Sequence, residues 1–359
     1  MRSALLVTSN GIGMGHLARQ AAVGLAAGEE ARVTLLSMSA ALPTVTSLGI
    51  QGEYCPGPDR DWVPEPLWAQ YLAARLQALA KEVEADVVVF DGVAPYRGVT
   101  LARTRMPDTP FVWFRRGMWR RGVNEGQLWK SGLFDFVIEP GEIASAGDVG
   151  ATSRRTDAVR VPPVSLVEVV ERLERTEAAG RLGLDPNRPT VLMTLGTGRL
   201  GDVSTPGRII LDALLDEPEW QVGVVTSSIA NATIPVSRER DVVEIKGVFP
   251  LVRYLNAFDA AISAAGYNAV HELIPAGLPT LLVPNTATRT DDQEARAREV
   301  ARRRLALNAD SASQSDLTAA VGRLLTEDTR AELRDAILGL APEELGGGAL
   351  ATWRELSRA

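Results

Sequence analysis

The stretch that most limits what this chain can become runs from Ala260 to Pro284. A short apolar run, Ala260-Ala261-Ile262, passes through Ser263-Ala264-Ala265-Gly266, opens a helix at Tyr267-Asn268, and closes with Ala276-Gly277-Leu278-Pro279. A second apolar run, Thr280 to Val283, follows at once. Apolar runs too short for a helix, bounded by turn residues, fit strands buried on both faces, as in a parallel sheet. A helix between two such strands is the crossover that parallel pairing requires. Gly277 and Pro279 provide the helix stop. Here the chain commits itself to an α/β fold.

An ordinary strand, helix and strand explains Gly277 and Pro279 but gives several neighbours no task. Where a strand hands over to a helix, the first backbone N–H groups lack an intrahelical acceptor and stabilise an anion such as a phosphate. Gly266 has no side chain to block close approach, and Asn268 can donate to a phosphate oxygen. Glu272, one turn further on, can accept from two neighbouring hydroxyls. After a polar loop come Asp292 and Gln293. Together these are the groups that a nucleotide needs.

The same grammar recurs through the chain. Ser3 to Thr8 reads as a strand, Ser9 to His16 as a glycine loop (Ser-Asn-Gly-Ile-Gly-Met-Gly-His), and Leu17 to Ala27 as an Ala-rich helix. That loop is neither a full dinucleotide fingerprint, since His16 stands where the last small residue belongs, nor a Walker loop, since no lysine follows. Further strands are expected near Val33 to Ser37, Asp86 to Phe90, Phe111 to Phe114, Phe136 to Ile138 and Val159 to Pro163, with a helix over Leu67 to Val83. The pattern then restarts: a helix over Leu166 to Leu182, a strand over Thr190 to Leu195 ending in Gly196-Thr197-Gly198, and strands at Gln221 to Thr226 and Val242 to Phe249. Two doubly wound, Rossmann-like domains are expected, 1–162 and 163–345, with the last helix, in 346–359, packing back on the first. A length of 359 residues suits two domains better than one core.

The pattern Gly266-aromatic-Asn268, Glu272, Ala-Gly-x-Pro and Asp292-Gln293 resembles the donor motif of the GT-B nucleotide-sugar glycosyltransferases, and most nearly the family-28 type. The resemblance implies a GT-B fold, an α/β architecture of two Rossmann-like domains facing a central cleft. It also implies that Glu272 holds the ribose, that Ser263, Gly266 and Asn268 lie at the diphosphate with the loop Gly196, Thr197 and Gly198, that Val248 and Phe249 meet the base, and that Asp292 and Gln293 bind the donor sugar. Many relatives carry a phosphate-binding histidine where this chain has Ala264, so backbone N–H groups must provide most of that contact. The reaction expected is inverting transfer from a UDP- or dTDP-sugar to a hydroxyl. The alternatives are a nucleotide-sugar hydrolase, which the loop Gly13-Met14-Gly15-His16 with Arg19 also resembles, and a non-catalytic nucleotide-sugar sensor.

Transfer to a hydroxyl needs a base for its proton and a site for the departing diphosphate. His16 sits on the glycine loop at the carboxyl end of the first strand, where the resemblance to GT-B enzymes implies the base, and Asp91, ending Val87-Val-Val-Phe90, falls where the resemblance implies the partner that orients it; Asp91 is equally readable as a turn or cap residue. Expected acceptor contacts are Gly13, Met14, Gly15, Arg115, Arg116 and Trp119, because five of the seven tryptophans and a run of arginines fall in the first half. Asp59-Arg60-Asp61 has the form of a metal-binding Asp-x-Asp but sits among prolines in a loop, so no metal and no cofactor beyond the donor is expected. A net charge of −7 argues against nucleic acid as partner, and the single Cys55 against any internal disulfide. With no run of about 20 apolar residues, the expected setting is cytoplasmic, with peripheral membrane contact left open should the acceptor be a lipid.

Overall fold

The structure is a computed structural model that describes residues 2–9, 13–29, 31–58, 63–227, 229–230 and 241–359. The chain divides into two compact units. The first comprises Met1–Gly141, Val149–Val169 and Gly347–Ala359, and the second Glu142–Asp148 and Val170–Gly346.

In the first unit, strands β1 (Arg2–Thr8), β2 (Ala31–Ser37), β3 (Gln51–Tyr54), β4 (Val87–Asp91), β5 (Phe111–Phe114), β6 (Phe136–Pro140) and β7 (Ala158–Val161) form one sheet in the order β3-β2-β1-β4-β5-β6-β7. Every pairing is parallel. Helices α1 (Gly15–Ala26), α2 (Leu42–Thr46), α3 (Glu65–Glu82) and α4 (Arg97–Arg105) connect the earlier strands. The central strand explains the sequence pattern: Ala4, Leu5, Leu6 and Val7 are fully buried because helices cover both faces. β1 and β4 are neighbours, and strand order runs outward from them in both directions, so the loops that follow them open a crevice at the carboxyl edge.

The second unit repeats the plan. Strands β8 (Thr190–Thr194), β9 (Gln221–Thr226), β10 (Val242–Lys246), β11 (Ala260–Ser263), β12 (Thr280–Leu282) and β13 (Leu307–Asn308) form a parallel sheet in the order β10-β9-β8-β11-β12-β13. Its helices are α5 (Arg175–Leu182), α6 (Ser204–Leu215), α7 (Tyr267–Leu273), α8 (Gln293–Arg302), α9 (Gln314–Leu325), α10 (Glu327–Leu338) and α11 (Pro342–Leu345). Its core joins Val191, Met193, Val222, Val224, Ile262 and Leu281 of the sheet to Ile210, Leu214, Leu317 and Val321 of the helices. The reversal of strand order falls between β8 and β11.

The chain then returns as α12 (Gly348–Leu356), which belongs to the first unit. Glu168 fixes that return. Its carboxylate accepts from the backbone N–H groups of Gly347 (2.9 Å) and Ala349 (3.1 Å), at the start of the helix. Gly348 is so close to the Pro162 carbonyl that a β-carbon would stand 2.0 Å from its oxygen, so no larger residue fits.

Three expectations change. The units divide at 169/170, not 162/163, because the capping box of Ser165 and Glu168 makes Leu166–Glu168 part of the first unit. The single helix expected over Leu166 to Leu182 is a 3₁₀ turn, an open connection and then α5. In that connection Leu173 is held by backbone donation to Arg253 O (2.8 Å) and by Asn256 Nδ2 donating to Leu173 O (2.8 Å). The strand expected over Val242 to Phe249 ends at Lys246, where Gly247 takes a φ of +68°.

Candidate active site

The crevice of the first unit is filled by a charged cluster. α1 starts at Gly15, so His16 occupies its first turn, and Arg19 and Gln20 follow on the same face at the i+3 and i+4 positions. All three reach Asp91, the last residue of β4, which is only 1% exposed. His16 Nδ1 lies 2.6 Å from Asp91 Oδ1. Arg19 donates to the same carboxylate through Nε (3.2 Å to Oδ2) and Nη2 (2.8 Å to Oδ1), and Gln20 Nε2 donates to Oδ2 at 3.1 Å.

Burial pushes Asp91 up, but Arg19 and His16 outweigh it and bring its pKa down to about 2. An ionised carboxylate only accepts, so the proton of His16 is on Nδ1 and Nε2 offers a lone pair. Burial also lowers the pKa of His16, with Arg19 and Arg116 acting the same way and Asp91 opposing them; the net direction is down. His16 is therefore neutral at neutral pH, which a base must be. Gly13, Met14 and Gly15 lie half-buried beside it, while Asn10, Gly11 and Ile12 of the same loop are outside the described residues.

The crevice of the second unit has a different lining. The loop after β8 turns through Gly196 (φ +96°) and Gly198 (φ +65°), backbone that a side chain would strain. The loop after β11 is stitched to β8 by Ala264 N donating to Thr194 O at 3.0 Å. Gly266 then stands at the N-cap of α7, where it has no side chain to make a capping hydrogen bond. Three other helices of this unit do have such a cap, from Asp292, Ser313 and Thr326.

One turn along α7, Glu272 is half-buried. Its carboxyl makes no hydrogen bond or ion pair among the described residues, and desolvation alone raises its pKa to about 8. Gln293 is held by its Oε1, which accepts from Asn285 N (3.0 Å). Its Nε2 has no partner among the described residues and lies 3.9 Å from where a β-carbon on Gly266 would be. Asn268 is half-buried in the first turn of α7, and Val248 and Phe249, also half-buried, follow the end of β10.

Several predicted contacts belong elsewhere. Arg115 is fully buried and pairs with Glu139 (3.2 Å) and Asp157 (2.9 Å) while donating to Ser131 Oγ (2.9 Å). Trp119 is 2% exposed in the core of the first unit, with Trp68 and Trp113. Neither Arg115 nor Trp119 can line an acceptor pocket. Arg116 is half-buried and close enough to lower the pKa of His16, whereas Trp129 is exposed. Ser263 is buried and its hydroxyl donates to Ala264 O at 3.1 Å, so it is not offered to a ligand. Asp292 Oδ1 accepts from Ala295 N (3.0 Å) as the cap of α8, which occupies one of its two oxygens. The Asp59-Arg60-Asp61 motif lies outside the described residues, as does Trp62.

Two groups that sequence reasoning left out of the site are Gln20 and Arg19 in its contact with Asp91. Their spacing from His16 on one helix was the available signal. His271, by contrast, is structural. Its Nδ1 donates to Tyr267 O (2.7 Å) and its Nε2 accepts from Ile143 N (3.0 Å), holding the segment Glu142–Asp148 within the second unit.

Two parallel, doubly wound α/β units in series define a GT-B fold. Solved structures of the same fold include MurG of Acinetobacter baumannii, 15% identical with TM-score 0.63 and full coverage of both chains. A UDP-GlcNAc 2-epimerase of Neisseria meningitidis, bound to UDP-GlcNAc, is 14% identical with TM-score 0.67, again over all of both chains. Residues 225–340 match the family model for the glycosyltransferase family 28 C-terminal domain. A probable chloroplastic monogalactosyldiacylglycerol synthase 2 of Oryza sativa subsp. japonica is 26% identical over 248 residues, 60% of this chain and 50% of the relative. The chain spans about half the length of the curated relatives it matches.

Proposed function

We propose that the protein moves a sugar from a UDP- or dTDP-sugar to a hydroxyl acceptor, with inversion at the anomeric carbon. The observation that carries this reading is the carboxyl of Glu272, partnerless among the described residues, one helical turn from Asn268 and inside the segment that matches the family-28 domain. A carboxylate taken from water without a hydrogen bond is costly. Ribose hydroxyls of a bound nucleotide would satisfy it. Gly266, Asn268 and the loop Gly196–Gly198 would take the diphosphate, Val248 and Phe249 the base, and the Nε2 of Gln293 with the remaining oxygen of Asp292 the sugar.

In the proposed step His16 Nε2 takes the proton as the acceptor O–H bond breaks. The acceptor oxygen bonds to the anomeric carbon while the bond from that carbon to the phosphate oxygen breaks, and the nucleoside diphosphate leaves with the electron pair. Asp91 stabilises the resulting imidazolium, as a buried carboxylate on Nδ1 can.

A second reading deserves a test because Arg115 and Trp119 are buried, which removes two of the expected acceptor contacts. Water would then be the acceptor and free sugar the product. A thermal-shift screen over UDP-, dTDP- and GDP-sugars comes first, since a ligand that binds only the folded state raises its melting temperature. A UDP- or dTDP-sugar should give the largest shift, and Glu272→Ala should diminish it. A GDP-sugar as the best ligand, or no effect of Glu272→Ala, contradicts the assignment. Incubation of the winning donor without acceptor then separates the two readings by release of free sugar.

A further inference from the structure

The contact between Arg19 and Asp91 poses a problem for a simple base. A histidine bonded to a buried carboxylate is drawn toward its charged form, which would leave it protonated when it must accept a proton. Here the carboxylate is shared. Arg19 holds both Asp91 oxygens, and its Nη2 lies 2.8 Å from Asp91 Oδ1 and also 2.8 Å from His16 Nδ1. Both nitrogens are donors, so they share the one oxygen and do not bond each other.

Protonating His16 at Nε2 would place an imidazolium directly against this guanidinium. Arg19 is 1% exposed, so little water intervenes to screen the two charges. The other charged groups that act on His16 are Asp91 itself, from β4, and Arg116, beyond β5; Gln20, from α1, is neutral.

We propose that Arg19 is a positioning residue that takes up the charge of Asp91, which His16 would otherwise have to itself, and so keeps His16 an unprotonated base. The fork matters as well as the charge, since only a planar guanidinium grips both carboxylate oxygens. Gln20 adds a neutral donor that keeps Asp91 turned toward α1. The catalytic consequence rests on the reading of His16 as base, whereas the effect on its protonation does not.

The chain has two histidines, so its imidazole resonances can be titrated by NMR and assigned by their loss in His16→Gln. In Arg19→Gln the His16 midpoint should rise by about 1 or more. In Arg19→Lys, which keeps a charge but loses the fork, it should rise less yet stay above that of the unmodified protein. If Arg19→Gln does not fold, Arg19→Lys carries the test. A midpoint that fails to rise in the folded variants overturns the proposal and leaves Arg19 a packing residue. The acid limb of kcat/KM for the donor found by thermal shift should move upward in step. A midpoint that rises while the acid limb stays put supports this role for Arg19 and removes His16 as the base.

Discussion

The two crevices of this molecule occupy equivalent places in equivalent sheets, yet they are furnished in opposite ways. Between β1 and β4, Asp91 is surrounded by three side chains that donate to or share its oxygens. Between β8 and β11, glycines turn the chain, and the carboxyl of Glu272 and the amide nitrogen of Gln293 face no partner among the described residues. A carboxylate ringed by donors fixes the side chain beside it in one protonation state, as proton transfer requires. An unsaturated one waits for a ligand to supply the missing hydrogen bonds, and it costs stability until then. If the proposed function holds, the same architecture separates chemistry from binding by deciding where polar groups are paired.

That division is broken most forcefully at His16. His16→Ala should lower kcat by about 10²- to 10⁴-fold, the usual weight of general base catalysis, and leave nucleotide affinity where it was. Loss of nucleotide binding in this variant would show that the first crevice also holds the donor. The converse variant, Glu272→Ala, should weaken nucleotide binding by about 10- to 100-fold, since hydrogen bonds to a charged group are worth about 1.5–3 kcal/mol. The same substitution should raise the melting temperature of the ligand-free protein, because it removes an unsatisfied carboxyl. A drop would mean that Glu272 has a structural partner.

Glycines allow a finer comparison. At Gly266 a β-carbon would meet nothing nearer than 3.9 Å, and φ is −68°, so Gly266→Ala should fold normally. If a diphosphate packs against that backbone, the added methyl costs about 1 kcal/mol, roughly fivefold in affinity. At Gly92 in the first unit a β-carbon would stand 2.6 Å from the Phe90 ring, so Gly92→Ala should destabilise the fold itself. Chemical denaturation and nucleotide titration of the two variants should therefore move in opposite columns: stability lost in one, affinity lost in the other.

Much of this was legible beforehand, and the reasons are local. Buried parallel strands advertise themselves as short apolar runs, and the glycines after β8 mark where the chain turns. His16 and Asp91 could be paired from the family resemblance, and the adjacency of β1 and β4 shows why they meet. Arg115 and Trp119 could not be placed from sequence, since tryptophan and arginine serve a core and a pocket equally well. Only the geometry reveals that Glu139 and Asp157 neutralise Arg115 in the interior. Ser263 misled for a similar reason: a hydroxyl beside a glycine loop suits a phosphate, but its own neighbour's carbonyl accepts it first. The open connection before α5 was hidden because its hydrogen bonds come from Arg253 and Asn256, about eighty residues downstream.

The smallest effect probes the second crevice without altering its shape. Glu272 has a pKa of about 8 in the folded chain against an ordinary 4.5. Between those values the folded state retains a proton that the unfolded state has lost, so its contribution to stability is present at low pH and fades as pH rises toward 8. Glu272→Gln should flatten that slope in pH-dependent denaturation. Ribose hydroxyls that donate to the carboxylate would favour its ionised form, so nucleotide binding at pH 7 should release a proton and tighten as pH approaches 8. Calorimetric titration in buffers of different ionisation enthalpy counts that proton directly. Release approaching one proton, abolished in Glu272→Gln, ties the nucleotide to this carboxyl. Binding without proton release would put the ribose elsewhere, even if Glu272→Ala had weakened it.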